Sequence, residues 1–272
     1  MPDLEPADPN SGSAASTPSD PAAQYVGDDP LDVLAIGAHP DDVEFTCGGT
    51  LAKLARQGYR VGIVDLTDGE PTPHSPGPAV RLQEAGAAAD ALGIHKRINL
   101  GLPNRRLMDG LEARVALARE LRYFRPSLVI GFGDKTPLHS PDHWQAVQIT
   151  EAAVFYSRLT KWDQFFPGLP PHSVRQLIYY RSGGEASPIQ TTGTVLTVDI
   201  SDTLEQKLNA LRCYRTQFDH KPHIESLVRS AAIVAGQLAG VAAGELFVTA
   251  QMLAIDDLYR TVLGAGRDES SC

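Results

Sequence analysis

The sequence predicts an α/β protein, a three-layer sandwich in which helices cover both faces of a mostly parallel sheet. Three observations carry this. Short apolar runs alternate with stretches of helical periodicity, the order that strand–helix–strand units produce. The leading apolar runs, 31–36 (LDVLAI) and 60–66 (RVGIVDL), are continuous rather than alternating, as strands covered on both faces are. With 272 residues, 42% apolar and 21% charged, the chain is long enough to bury a core of useful size.

Residues 1–30 are dominated by Pro, Ser, Ala, Asp and Gly, and they hold too little apolar surface to offset their ordering entropy. They are expected to form a disordered or loosely packed arm, with a single domain over 31–265 and a flexible tail over 266–272. Strands are predicted at 31–36, 60–66, 96–100 and 127–132, with helices between and after them at 48–58, 79–92, 110–124 and 142–158. Beyond residue 170 the pattern loosens into strands at 174–181, 194–200 and 245–250. A helix over 201–213 opens after Ser201 or Asp202, both good N-caps, and a long helix covers about 222–241.

The net charge of −9 and the scattered Lys and Arg argue against nucleic acid as a partner. Cys47, Cys213 and Cys272 form no CxxC pair, which argues against a disulfide scaffold or a cysteine-built zinc site. A reducing, cytoplasmic setting is the expectation: the N-terminus has no signal-peptide pattern and no apolar run approaches a membrane span. The Ala/Gly-rich stretch SAAIVAGQLAGVAAG (230–244) suits either close helix packing or a contact in a homo-oligomer.

The first strand–helix turn, GAHPDDVEFTCGG, lacks the G-x-G-x-x-G spacing, and its two carboxylates would repel a pyrophosphate. Nicotinamide and flavin binding are therefore disfavoured. What the turn does carry is His39, Asp41 and Asp42 at a strand end. Ligands of open α/β sheets gather at such ends. Asp68 and Glu70 follow the second strand, Asn99 and Asn104 belong to the third, and Asp134, His139, Asp142 and His143 follow the fourth. Two imidazoles and one carboxylate, from His39, His143 and Asp42, suit a divalent ion and leave a coordination position open for water, the mark of a catalytic site. Such an ion lowers the pKa of water toward about 7. Asp41, pointing elsewhere than its neighbour, is then placed to act as general base. Pro40 stiffens the turn. The plain alternative is that Asp41 or Asp42 only caps the following helix. Asp142 is read either as orienting a histidine or as a helix cap.

AHPDDVEFTCGGTLAKLARQGYRVGIVDLTDGE resembles the start of the LmbE/PIG-L superfamily of metal-dependent deacetylases. RLQEAGAAADALGI, INLGLPNRRL and SPDHWQAVQITEAAVF resemble its Arg-x-x-Glu helix, its following strand and loop, and its second metal motif. VDISDTLEQKLNALRCYRTQF and GELFVTAQ resemble the branch that works in bacillithiol biosynthesis, so the likeness covers about residues 31–263. It implies a Rossmann-like fold and removal of an N-acetyl group from a small GlcNAc conjugate, N-acetylglucosaminyl-malate in that branch. It implies His39, Asp42 and His143 as ligands of one divalent metal, Zn2+ or Fe2+, with Asp41 as base. Arg81 would bind an anionic part of the substrate, and Asn104 would touch the sugar. One departure stands out: Ser140 occupies the place of the first histidine of the usual His-Pro-Asp-His, and His139 is displaced by one residue. Either His139 returns to the proton-donating role or another group fills it. An inositol-linked or chitin-derived substrate, and a non-catalytic metal- or sugar-binding member, are the alternative readings.

Overall fold

The computed structural model describes residues 29–133, 139–181 and 194–263. The elements run β1 (Val33–Gly37), α1 (Asp42–Arg56), β2 (Val61–Thr67), α2 (Pro78–Leu92), β3 (Lys96–Leu102), α3 (Leu111–Phe124), β4 (Leu128–Phe132), α4 (Pro141–Ser157), β5 (Gln176–Tyr180), β6 (Val195–Asp199), α5 (Leu204–Arg212), α6 (Arg215–Phe218), α7 (Ile224–Leu238), β7 (Gly244–Thr249) and α8 (Leu258–Leu263). The seven strands form one sheet in the order β3-β2-β1-β4-β5-β7-β6. β3, β2, β1, β4 and β5 pair in parallel, and β7 runs antiparallel between β5 and β6.

The continuous apolar runs explain the centre of this sheet. Every residue of β1 and β2 is buried. α1, α2 and α5 pack together on one face, and α3 packs with α4 on the other. Leu34, Ile36, Ile63, Leu66, Val129 and Ile130 are fully enclosed between those layers. Because β1 leads to β2 on one side while β4 lies on its other side, the strand order reverses at β1/β4. That opens a crevice at the carboxyl ends, where open α/β sheets take ligands.

α1 differs from the expected 48–58: it starts at Asp42 and is broken at Cys47, whose φ/ψ of −127°/17° is not helical. The break is held from far along the chain. The carboxylate of Glu245 in β7 accepts from Gly49 N at 3.0 Å and Thr50 N at 2.7 Å, capping the second half of the helix. Lys207 donates to Thr46 O at 3.0 Å and to Glu245 Oε1 at 2.6 Å, so it closes the first half. Gly49 is required here, since a Cβ would lie 2.8 Å from Ile200 Cδ1.

α5 opens at Leu204 with Thr203 in the N-cap position expected of Ser201 or Asp202, and α6 and α8 were not expected from the sequence. In α7 the small residues serve close packing: a Cβ on Gly236 would meet the Ala243 backbone at 2.7 Å, while Leu227, Val234 and Leu238 are exposed. Of the aromatics after Val154, Phe166 is buried against the guanidinium of Arg122, whereas Phe155 is exposed. No helix among the described residues is long and apolar enough to cross a membrane. Most of the N-terminal arm, the C-terminal tail and Asp134 lie outside the described residues.

Candidate active site

β1 stops at Gly37, and the chain turns through His39-Pro40-Asp41-Asp42 into α1. Asp42 makes the turn tight: its Oδ2 accepts the His39 backbone N–H at 2.7 Å, and its own N–H reaches His39 O at 3.3 Å. Asp41, between them, sits at φ 109°, ψ −24°. Backbone of this kind in a residue other than glycine costs on the order of 1–3 kcal/mol and clusters at functional sites. The strain separates the two carboxylates, Asp42 facing the crevice and Asp41 facing α2.

The second half of the site comes from the start of α4. Ser140 is the N-cap, its hydroxyl accepting from Asp142 N at 3.3 Å, and Pro141 fills the first helical position, where no N–H is needed. One turn later His143 stacks on Phe132, the last residue of β4, with ring centroids 4.5 Å apart and 22° between planes. His143 Nε2 then lies 3.3 Å from Asp42 Oδ1, and His39 Nδ1 lies 3.3 Å from Asp42 Oδ2. The three residues each offer one ligand atom, all within 4.8 Å of one another.

His39 has a second partner. Its Nε2 is 3.3 Å from Asp142 Oδ2, which also accepts the Arg105 backbone N–H at 2.6 Å. A histidine that ligates a metal through one nitrogen typically gives the other to a carboxylate. Here that commitment would leave Nδ1 for a cation. Asp142 is thus the carboxylate that orients His39, while the cap is Ser140.

Electrostatics describe a hole for positive charge. Burial alone would pull the His39 imidazole down, but Asp42 and Asp142 outweigh it and push the ring up to about 10. Burial would raise Asp42, yet the two histidines hold it far below the ordinary carboxylate range. Two imidazoles and a carboxylate that stays charged are the donors a divalent cation takes, so the residues present fit a metal. Burial pushes Asp41 up to about 6, against the pull of the neighbouring Arg81 guanidinium.

The remaining expected residues fall as follows. His139 is at the rim, its ring 6.1 Å from that of His143 and edge-on at 85°. Asn104 donates to Glu70 O at 2.9 Å, and its Oδ1 is buried without a partner among the described residues. Arg81, expected to meet an anion, is 2% exposed; its Nη2 donates to Asp41 Oδ2 (2.8 Å) and to Pro40 O, while Nε and Nη1 are buried without a partner among the described residues. Its burial behind the turn, against the Tyr214 ring, keeps it from opening onto solvent.

One buried ionic cluster was not expected from the sequence. Beneath the turn, Arg97 forks onto Asp65 at 2.7 and 2.9 Å and also pairs with Glu44, which accepts from Tyr214 Oη at 2.8 Å. Its signal was a lone Asp inside the otherwise apolar β2, with an Arg in the neighbouring strand.

With this geometry in place, the chain can be set beside known proteins. The sequence profile of the GlcNAc-PI de-N-acetylase (PIG-L) family matches residues 34–154. The diacetylchitobiose deacetylase of Thermococcus kodakarensis is 31% identical over 220 residues, covering 76% of this chain and 79% of its own. The chain belongs to the PIG-L/LmbE deacetylase family. A second member, the 1D-myo-inositol 2-acetamido-2-deoxy-α-D-glucopyranoside deacetylase of a Mycobacterium species, is 27% identical over 239 residues, covering 73% of this chain and 78% of its own. Among solved PIG-L/LmbE structures, the N,N'-diacetylchitobiose deacetylase of Pyrococcus horikoshii superposes with a TM-score of 0.71 at 29% identity, covering 84% of this chain and 86% of its own. The mostly parallel sheet of seven strands flanked by helices is therefore a deacetylase fold, and the protein is a deacetylase of this family.

Proposed function

We propose that the protein hydrolyses the acetamide of a small GlcNAc conjugate, with one divalent cation, zinc or ferrous iron, held by His39, Asp42 and His143. The observation that carries this is the pairing of that donor cluster with a separate, strained carboxylate at Asp41. A cation held there supplies Lewis acidity, lowering the pKa of water and polarising the acetyl carbonyl.

The side chains supply the rest. Asp41 takes the proton of the attacking water at Oδ1, because Oδ2 is held by Arg81. His139, at the rim beside His143, delivers a proton to the leaving amine as the C–N bond breaks, which yields free acetate and the amino sugar. Asp142 keeps His39 in the tautomer and orientation that ligation needs. Asn104, its amide pinned by Glu70 O, presents Oδ1 to a sugar hydroxyl.

For the aglycone, the relatives support a second sugar or an inositol. A separate observation favours the acidic alternative, the malate of bacillithiol biosynthesis: Arg105 and Arg106 are exposed on the site's rim, and the Arg105 N–H donates to Asp142. Acetate release from GlcNAc–malate, diacetylchitobiose and a GlcNAc–inositol, measured side by side, separates these. A preference for the malate conjugate that disappears in the Arg105→Ala, Arg106→Ala variant supports the acidic aglycone, and equal rates remove it.

The reaction is tested by metal analysis and by the base. Protein purified without chelator should carry about one transition metal per chain. Asp41→Asn should keep the metal and lose about 10²–10⁴-fold in kcat. Absence of metal together with no activity on added zinc or ferrous iron would overturn the reading, and full activity of Asp41→Asn would overturn the role given to the base.

A further inference from the structure

The loop between β2 and α2 meets the connector between α6 and α7 through two histidines. His74 and His220 are both exposed, and their ring centroids lie 3.9 Å apart with 35° between planes. Neither imidazole has a hydrogen-bond partner among the described residues. Their contact is nevertheless held from both sides. The Thr72 N–H donates to Glu70 Oε2 at 2.6 Å, and the Thr72 hydroxyl accepts from Gln217 Nε2 at 2.9 Å. Glu84 accepts from the Thr216 N–H at 2.8 Å and from its hydroxyl at 2.6 Å. Pro73, Pro76 and Pro222 fix φ close to the two rings. Ligating groups set in place beforehand lose less freedom when a ligand arrives.

The chemistry of the pair favours a cation over an anion. An anion needs protonated rings, and two imidazolium groups in contact repel. Desolvation, then the neighbouring His74 and Lys221, hold the His220 imidazole below its usual pKa, over the opposing pull of Asp219. The ring is therefore neutral near pH 7, the form in which imidazole ligates metal. Two Zn–N bonds of about 2.0–2.1 Å at a tetrahedral angle separate their nitrogens by about 3.3 Å. Rings this close reach that span by turning about their own side-chain bonds.

We propose that His74 and His220 form a second site for a divalent transition-metal cation, Zn2+ or Cu2+, distinct from the His39–Asp42–His143 cluster. Both imidazoles ligate the ion and water completes its shell. The ion staples the β2–α2 loop to the α6–α7 connector, and that loop begins beside Glu70, whose carbonyl holds Asn104 at the crevice. The site does not depend on the function proposed above.

The test is equilibrium dialysis of the full chain against Zn2+ and against Cu2+, compared with His74→Gln, His220→Gln and the double variant. Wild type should bind one cation per chain more than the double variant, whether or not the cluster at His39 is filled. Each single variant should weaken that class by at least about 10–100-fold, the cost of losing even an outer-shell partner. Cu2+ should bind more tightly than Zn2+, and Mg2+ should not compete. Electron paramagnetic resonance of the Cu2+ adduct in a His143→Ala background should show two imidazole nitrogens, and none in the double variant on that background. Equal stoichiometry in wild type and the double variant overturns the proposal. So does a second class that persists at pH 5 or is displaced by Mg2+, because carboxylates would then hold it.

Discussion

Asp142 does two jobs with one oxygen, accepting from the Arg105 backbone and orienting His39. Asp142→Ala should therefore weaken metal binding by about 10–100-fold while leaving the three ligands in place. Competition with a chromogenic chelator measures this, and unchanged affinity would remove Asp142 from the site. The donor cluster itself was legible in the sequence because HPDD and the distal Asp-His fall at strand ends that the apolar runs had already located. Side-chain direction was not legible. Nothing in the letters announces that Asp41, an ordinary L-residue, sits at φ 109°, or that Arg81 Nη2 reaches its carboxylate. Ser140 was readable only as a departure; its use as the N-cap of α4 needed the backbone.

Among the elements, α1 shows where local pattern gives way to long-range contacts. The helix expected to begin at Gly48 begins instead at Asp42, and the break at Cys47 before Gly48 and Gly49 is held by Glu245, 196 residues from Gly49. Glu245→Ala should strand the Lys207 ammonium and free two helix N–H groups, costing about 3–5 kcal/mol, the scale for breaking a buried pair. Urea denaturation gives the number, and a loss under about 1 kcal/mol, the surface-pair scale, would show the pair to be dispensable. The connector between α4 and β5 adds a pH dependence. Burial holds the His172 imidazole below its usual pKa while its Nε2 meets Pro126 O at 2.8 Å. The unfolded chain then binds the proton more tightly than the folded one. This contribution is present above the unfolded pKa of about 6.5 and is lost as pH falls through the depressed folded value. His172→Gln should flatten that part of the Tm-against-pH curve below pH about 6.5, and an unchanged curve would rule the histidine out.

For the whole molecule, the parallel centre of the sheet followed from the unbroken apolar runs, whereas the antiparallel β7 between β5 and β6 had no local signal, because strand neighbours past residue 170 are set by tertiary packing. The composition of residues 1–28 predicts that deleting them leaves kcat and Tm unchanged within error; a clear drop in either would show that the segment packs on the catalytic unit. The proposed metal ligands stand on the two sides of the β1/β4 seam, His39 and Asp42 on one and His143 on the other, so about a hundred residues must be reeled in before the three donors can meet. An unfolded chain cannot assemble that grip. A cation present at a hundred times its Kd therefore adds about 2.7 kcal/mol to the native state alone, and it works as a rivet driven after the central strands have docked.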